Sequence, residues 1–251
     1  MNIELVLGGF IIGGLIGLTG VGGASLLTPF LLFLGANPVV AIGTDFLFNT
    51  VTKFLGFMTH LRQKTIEFGI VKELAWGSIP GIFLGIIILH LLNTLEIGSS
   101  QLLIKHLIGY VLILTSLLTI LQLTLPSKYL KEKLVSLRKL TPLFGFIIGT
   151  FVGMTSVGSG SIFGLFLLSV YRVAPSKVAG TDIAHALILV AISSLIMVGT
   201  NSVNYSILIL LLIGSIPGVF IGSKLATKLP VLPFKLIIIF IIATSGIYLI
   251  K

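Results

Sequence analysis

The chain contains no cysteine and few charged residues. The absence of cysteine from its 251 residues excludes disulfides, thiolate metal sites and thiol chemistry. Only 9% of the residues are charged and 56% are hydrophobic, whereas a typical soluble domain carries about 25% charged residues. With a mean hydropathy of +1.20, the chain cannot cover itself with a polar surface. The composition therefore predicts an integral membrane protein, and its continuous apolar runs of about 20 residues are long enough to span the bilayer as helices, which makes the predicted fold all-α.

Acidic residues are scarcer than basic ones, with 7 Asp and Glu against 16 Lys and Arg. In a membrane protein such an excess marks cytoplasmic loops, so we expect no nucleic-acid partner. The N-terminal segment lacks the basic region of a secretory signal, and we expect it to be retained. The sequence also shows no metal-ligand cluster, nucleophile–base pair or cofactor fingerprint, which argues against a membrane enzyme and predicts no cofactor or metal.

An apolar stretch that breaks at a cluster of glycine and serine occurs twice. The first copy, GFIIGGLIGLTGVGGAS, covers Gly9–Ser25, and the second, GFIIGTFVGMTSVGSGS, covers Gly145–Ser161. Each copy is typical of a helix, an unwound turn and a new helix N-terminus within the bilayer. Repeated, interrupted apolar segments in corresponding halves of a chain indicate the binding site of a transporter.

The repeat continues over nearly the whole chain at an offset of 137 residues. The motif Gly43–Asp45 recurs at Gly180–Asp182, and Gly77–Gly81 recurs at Gly214–Gly218. We therefore predict a first transmembrane repeat over residues 1–123, a basic cytoplasmic loop over 124–140 and a second transmembrane repeat over 141–251.

The orientation of the repeats depends on whether the broken segment crosses the membrane. If it crosses, the chain has eight spans in two parallel repeats. If it returns as a re-entrant hairpin, each repeat has a hairpin and three transmembrane helices, and the repeats are inverted. The inverted arrangement places 13 basic residues on one side against 2 on the other, compared with 9 against 6 for the parallel one. Since basic residues collect in the cytoplasm, we predict inverted repeats in the cell membrane with both termini outside.

In this arrangement the two breaks approach each other near the membrane midplane. Their restarting helices direct free N–H groups and positive dipole ends to one place, which favours an anion. The alternative is that the glycines only allow tight helix packing. The predicted substrate-binding residues are Gly22, Gly23, Ser25, Asn49, Lys53, Gly158, Ser159, Gly160 and Ser161.

Polar residues also follow one face of the apolar segment after the first break. Asp45, Asn49, Lys53, Gly56 and His60 advance in steps of 4, 4, 3 and 4 residues. Ionisable residues within a membrane are usually functional and face the protein interior. Lys53 would compensate an anion or pair with a carboxylate, or alternatively its side chain would extend to the cytoplasmic interface.

The second repeat keeps the Thr-Asp pair and adds a histidine. Thr181 and Asp182 correspond to Thr44 and Asp45, and His185 lies one turn further on. Asp182 and His185 would form a proton relay, because histidine titrates near neutral pH. The alternative is that the two aspartates brace bends after the preceding glycines.

These features together resemble the TauE/SafE sulfite exporter family, also called the toluene sulfonate uptake permease family. The resemblance covers the whole chain, although Ser159 replaces the glycine that corresponds to Gly23. It implies a secondary transporter of sulfite, sulfonates or related small organic anions, coupled to H⁺ or Na⁺. A passive anion channel of the same architecture is the alternative, and the oligomeric state stays open, with a homodimer as one option. The matching residues are Gly20–Ser25, Pro29, Gly43–Asp45, Lys53, His60, Gly77–Gly81, Gly180–Asp182, His185 and Gly214–Gly218.

Overall fold

A computed structural model describes residues 2–19, 24–94, 100–124, 135–171, 173, 175–225 and 229–251. All regular elements in these ranges are helices. The α-helices are α1 (Asn2–Thr19), α2 (Ala24–Phe33), α3 (Pro38–Arg62), α4 (Phe68–Thr94), α5 (Ser100–Thr124), α6 (Thr141–Thr155), α7 (Ser159–Phe166), α8 (Pro175–Gly199), α9 (Tyr205–Leu225) and α10 (Val231–Ile250). A 3-10 helix covers Val135–Leu140 and a π-helical turn covers Leu167–Tyr171.

Five helices of the described ranges are long and apolar enough to cross a membrane. They are α4, α5, α9 and the stretches Lys177–Gly199 of α8 and Leu232–Ile250 of α10. Helix α3 is as long as α5 but carries Asp45 and Lys53 in its buried middle. It begins where Asn37 accepts a hydrogen bond from the Val39 N–H at 2.9 Å, with a proline in the first turn, as helix starts favour.

The predicted interruption of the second repeat lies between α6 and α7. Ser156 adopts a left-handed backbone conformation with φ 61°, and Gly158 has φ 103°. The Thr155 hydroxyl accepts a hydrogen bond from the Val157 N–H at 3.2 Å and so stabilises the turn. In the first repeat α1 ends at Thr19 and α2 begins at Ala24, and the interruption predicted there lies outside the described residues.

The arms on the two sides of each break lie next to each other. Gly8 on α1 lies against the ring of Phe30 on α2. At the corresponding positions, Phe144 on α6 stacks on Phe166 of α7 with ring centroids 3.9 Å apart. The Tyr171 hydroxyl then lies 2.9 Å from the hydroxyl of Thr141, at the start of α6. The two arms of the second break therefore run side by side in opposite directions.

Glycines spaced by one helical turn pack helices of the two halves into direct backbone contact. A Cβ atom at Gly13 of α1 would overlap the Ser215 carbonyl oxygen of α9, and one at Gly81 of α4 would overlap the Phe146 carbonyl oxygen of α6. Small residues allow such close approach between membrane helices. In both pairs the contacts advance together along the two chains, so the helices run parallel. The glycines are Gly9, Gly13 and Gly17 facing Gly214, Gly218 and Gly222, and Gly77, Gly81 and Gly85 facing Gly145, Gly149 and Gly153.

Helices α3 and α8, which correspond in the two repeats, cross at the centre in opposite directions. The hydroxyl oxygens of Thr50 and Ser194 lie 3.3 Å apart. Further along α3, Gly56 faces Ile183, which comes earlier in α8 than Ser194 does. The corresponding helices α5 and α10 also run antiparallel, because Gly109 contacts Ile250 while Ile113 contacts Gly246. Every long helix of one half therefore packs against a helix of the other half.

Candidate functional site

A cavity of about 780 Å³ lies between α1, α3, α8 and α9. Helix α3 contributes one face, since residues 52, 53, 56, 59 and 60 recur at helical spacing. The wall of the cavity is mostly apolar and includes Ile16, Leu55, Ile183 and Phe220. The polar residues of the lining are Thr52, Lys53, Thr59, His60, Asp182 and Ser223.

Lys53 is the buried cation of this cavity. Its side chain is 7% exposed, and it makes no direct ion pair or hydrogen bond within the described part of the chain. The carboxylates of Asp182 and Asp45 lie within electrostatic range of its ammonium group. A buried charge is costly unless another charge or hydrogen bonds compensate it. The cavity therefore contains a cation that forms no direct ion pair with a described carboxylate and is available to a bound anion.

Asp45 lies behind Lys53 and is held by hydrogen bonds. Thr28 of α2 donates to Asp45 Oδ2 at 2.7 Å, and Asn49 donates from Nδ2 to Asp45 Oδ1 at 2.6 Å. The Ser156 hydroxyl, in the second break, also lies near this carboxylate but has no hydrogen-bond partner among the described residues. Helix α2, helix α3 and the second break therefore meet at Asp45.

Asp182 lines the cavity and is less well satisfied than Asp45. Its Oδ1 atom is buried without a hydrogen-bond partner in the described part of the structure. The corresponding partners are missing from the sequence, because Ala186 stands where the first repeat has Asn49, and Gly164 where it has Thr28. The two aspartates of the repeated motif therefore have different environments.

The two histidines of the predicted set lie in different places. His60 lines the cavity, and its Nδ1 atom lies 2.9 Å from the Thr65 hydroxyl. His185 is fully buried away from the cavity, with Nε2 2.8 Å from the Ser78 hydroxyl and its ring 4.3 Å from that of Phe163. No hydrogen bond joins the described side chains of His185 and Asp182, so the geometry gives the predicted relay no direct link.

Thr44 and Thr181 anchor loops of the opposite half. Thr44 accepts a hydrogen bond from the Asn204 N–H at 3.0 Å, and Thr181 accepts one from the Glu67 N–H at 3.1 Å. These amides immediately precede α9 and α4 and would otherwise lack partners. The preceding Gly43 allows the loop backbone at Ser202 to pass in contact. The threonines of the repeated motif thus have a structural role.

The predicted residues of the breaks lie outside the cavity lining, as far as they are described. Ser25 is half-buried near the start of α2. Gly158 precedes α7 and is buried, and Gly160 lies half-buried in its first turn. Gly22, Gly23 and the side chains of Ser159 and Ser161 lie outside the described residues. Of the predicted substrate-binding set, Lys53 is the residue that the structure places in the cavity.

Sequence reasoning missed several lining residues. Thr52 and Thr59 share the face of Lys53 and His60, and this spacing could have identified them. Ile216 and Pro217 of the repeated Gly-Ser-Ile-Pro-Gly motif also line the cavity, and nothing local to this motif indicates that position. Within the described ranges, no group of three or more His, Asp or Glu residues is arranged to hold a metal ion.

A family model matches almost the whole chain. It describes the sulfite exporter TauE/SafE and matches residues 5–249. The chain belongs to the TauE/SafE sulfite exporter family. This TauE/SafE protein is accordingly a multi-pass membrane transporter, and its family is not an enzyme family.

Two curated proteins of Bacillus subtilis (strain 168) are similar to this TauE/SafE protein along its length. "Probable membrane transporter protein YjnA" is 44% identical over 255 residues, covering 100% of both chains. "Probable membrane transporter protein YdhB" is 24% identical over 256 residues, covering 99% of both chains. No solved structure matches the chain.

Proposed function

We propose that this protein is a secondary transporter of small anions such as sulfite, sulfonates or related organic anions. The observation that carries the proposal is Lys53, a buried cation without a direct partner among the described residues, in a cavity large enough for a small solute. The hydroxyls of Thr52 and Thr59 lie on the same wall. Each now donates to a carbonyl oxygen of α3 and would have to rotate to donate to an oxyanion. The description of the family as sulfite exporters agrees with this choice of substrate class.

The transporter would be built from two inverted repeats, each with a re-entrant hairpin and three spans. The antiparallel course of α3 and α8 supports this arrangement, because helices that correspond in two parallel repeats would run in the same direction across the membrane. The side-by-side arms of the hairpins support it as well. The six spans would be α3, α4, α5, α8, α9 and α10, with both termini outside.

In this topology the cavity would face the cytoplasm. It lies near the C-terminal ends of α3 and α9 and the N-terminal end of α8, and these ends carry Arg62, Lys224 and Lys177. Basic residues near helix ends collect on the cytoplasmic side. The two halves would then rock about the region between Lys53 and the breaks to expose the anion to the outside, with a gradient of H⁺ or Na⁺ driving the cycle.

Binding to the purified protein tests this proposal. Sulfite, sulfate, thiosulfate, sulfoacetate and simple carboxylates would be screened by thermal unfolding in detergent, since a ligand of the folded state raises its apparent stability. We expect at least one of these anions to raise the Tm of the wild type and to lose that effect in Lys53→Met. A lack of stabilisation by every anion, or an equal stabilisation of the variant, would count against the anion site.

A further inference from the structure

The cavity region holds one positively charged group and two negatively charged groups, so their charges do not cancel. Lys53 is the buried cation, and Asp45 and Asp182 are the two carboxylates within its electrostatic range. With all three ionised, the cluster carries a net charge of −1 before any substrate enters. A bound anion would add a second uncompensated negative charge to a buried site, which is strongly unfavourable in a medium of low dielectric constant.

The other described ionisable groups around Asp182 do not correct this balance. Helix α1 contributes only Ile16 and Gly17 to the cavity lining. Two of the remaining groups form ion pairs: Lys177 at the start of α8 pairs with Glu67 of the loop before α4, and Glu73 on α4 pairs with Arg138. The two histidines contact hydroxyl groups, His60 on α3 that of Thr65 and His185 on α8 that of Ser78. The ammonium group of Lys224 on α9 lies 4.3 Å from the centre of the Phe220 ring.

Asp45 and Asp182 differ in what they can accept. Both oxygens of Asp45 already accept hydrogen bonds, from Thr28 and Asn49, and such donors stabilise the ionised form. Oδ1 of Asp182 is buried with no partner among the described residues, and an unsatisfied buried acceptor is costly. Asp45 is thus arranged as the permanent counter-charge of Lys53, whereas Asp182 lines the cavity with one carboxylate oxygen that accepts no hydrogen bond from the described residues.

We propose that Asp182 takes up one proton from the cavity solvent whenever the anion binds beside Lys53. This inference rests on the anion transport proposed above. The proton adds to the Asp182 carboxylate and makes it a neutral carboxyl group, so that Lys53 and Asp45 remain ionised next to the anion. For a monovalent anion the loaded cluster then has the same net charge as the empty one. The anion and the proton would therefore cross the membrane together, and a pH gradient would drive the anion.

The test measures anion affinity against pH on the full-length protein in detergent. The probes are methanesulfonate, p-toluenesulfonate, thiosulfate and sulfate, which keep their charge between pH 6 and 8.5. We expect the wild-type Kd of a bound probe to rise about tenfold per pH unit where free Asp182 is ionised, because one proton is bound with each anion. A pH-indicator dye in weakly buffered solution should report the uptake of about one proton per anion over the same range.

Two variants assign the proton to its residue. Asp182→Asn mimics the protonated carboxyl group and should bind the probe at all pH values about as tightly as the wild type does at low pH. His60→Gln should keep the wild-type pH dependence, because histidine is the other residue type of the lining that ordinarily titrates near neutral pH. Size-exclusion chromatography checks that each variant is folded.

The outcomes separate this inference from the function on which it rests. Failure of every probe to bind at any pH would overturn the anion site itself. Probe binding with a pH-independent Kd and no proton uptake would overturn the inference alone. It would also be overturned if the pH dependence persisted in Asp182→Asn, which would assign it to Lys53, or disappeared in His60→Gln. The wild-type measurements decide the question even if Asp182→Asn fails to fold.

Discussion

Replacing Lys53 by methionine keeps most of the volume of the side chain and removes its charge. The ammonium group is buried and has no direct ion pair or hydrogen bond in the described part of the chain, so its expected partner is the bound anion. A hydrogen bond to a charged group contributes about 1.5–3 kcal/mol, which corresponds to a loss of about 10- to 150-fold in anion affinity. Lys53→Arg should recover part of this loss, because it keeps the charge but changes the donor geometry.

Isothermal titration of purified variants with the best stabilising anion would measure this loss. Lys105→Met is the matched control, since Lys105 is a half-buried lysine on α5 that does not line the cavity. The control should bind the anion within about twofold of the wild type. A Kd of Lys53→Met within twofold of the wild type, or an equal loss in Lys105→Met, would refute the assignment of Lys53 as the anion-binding cation.

Three further predictions concern topology and packing. Single cysteines at Asn2 and Ser127 should react with impermeant reagents from opposite membrane faces if the repeats are inverted, whereas reaction from the same face would favour parallel repeats. Gly81→Ala should lower the free energy of unfolding, measured by denaturant titration, by about 1–3 kcal/mol, because the added methyl group overpacks against α6. Gly69→Ala is the control and should not destabilise the protein, since Gly69 has open space around it. Equal effects of the two substitutions would contradict the packing argument. Thr181→Val should cost about 1 kcal/mol by leaving the Glu67 N–H without its partner, and an unchanged Tm would show that this hydrogen bond contributes little.

The long helices and the second break could be predicted because they depend on local sequence. A run of about 20 apolar residues can cross the membrane only as a helix or as part of a barrel, and the glycines and serines of residues 156–161 interrupt such a run. The structure has the interruption there, with Ser156 and Gly158 at positive φ. The inverted arrangement and the division into repeats remain predictions, although the antiparallel course of α3 and α8 agrees with the first.

The cavity could not be predicted, because it depends on which helices of the two halves pack together. Nothing local to Pro217 shows that α9 lies along α1 and faces Lys53. The role of Thr181 depends in the same way on a loop more than 100 positions earlier in the chain, at Glu67. The sequence does contain the contrast between the aspartates, since Ala186 replaces Asn49 in the second repeat, and the helical spacing that places Thr52 and Thr59 on the face of Lys53.

Uptake into proteoliposomes tests the proposed transport most directly. Sealed vesicles that contain the purified protein would be given a radiolabelled anion from the binding screen, with and without a pH gradient across the membrane. We expect transient accumulation of the anion above its external concentration on the alkaline side of the gradient, and loss of this accumulation in Lys53→Met. Equilibration without accumulation would indicate a passive anion channel, and the absence of any uptake above that of protein-free vesicles would contradict anion transport by this protein.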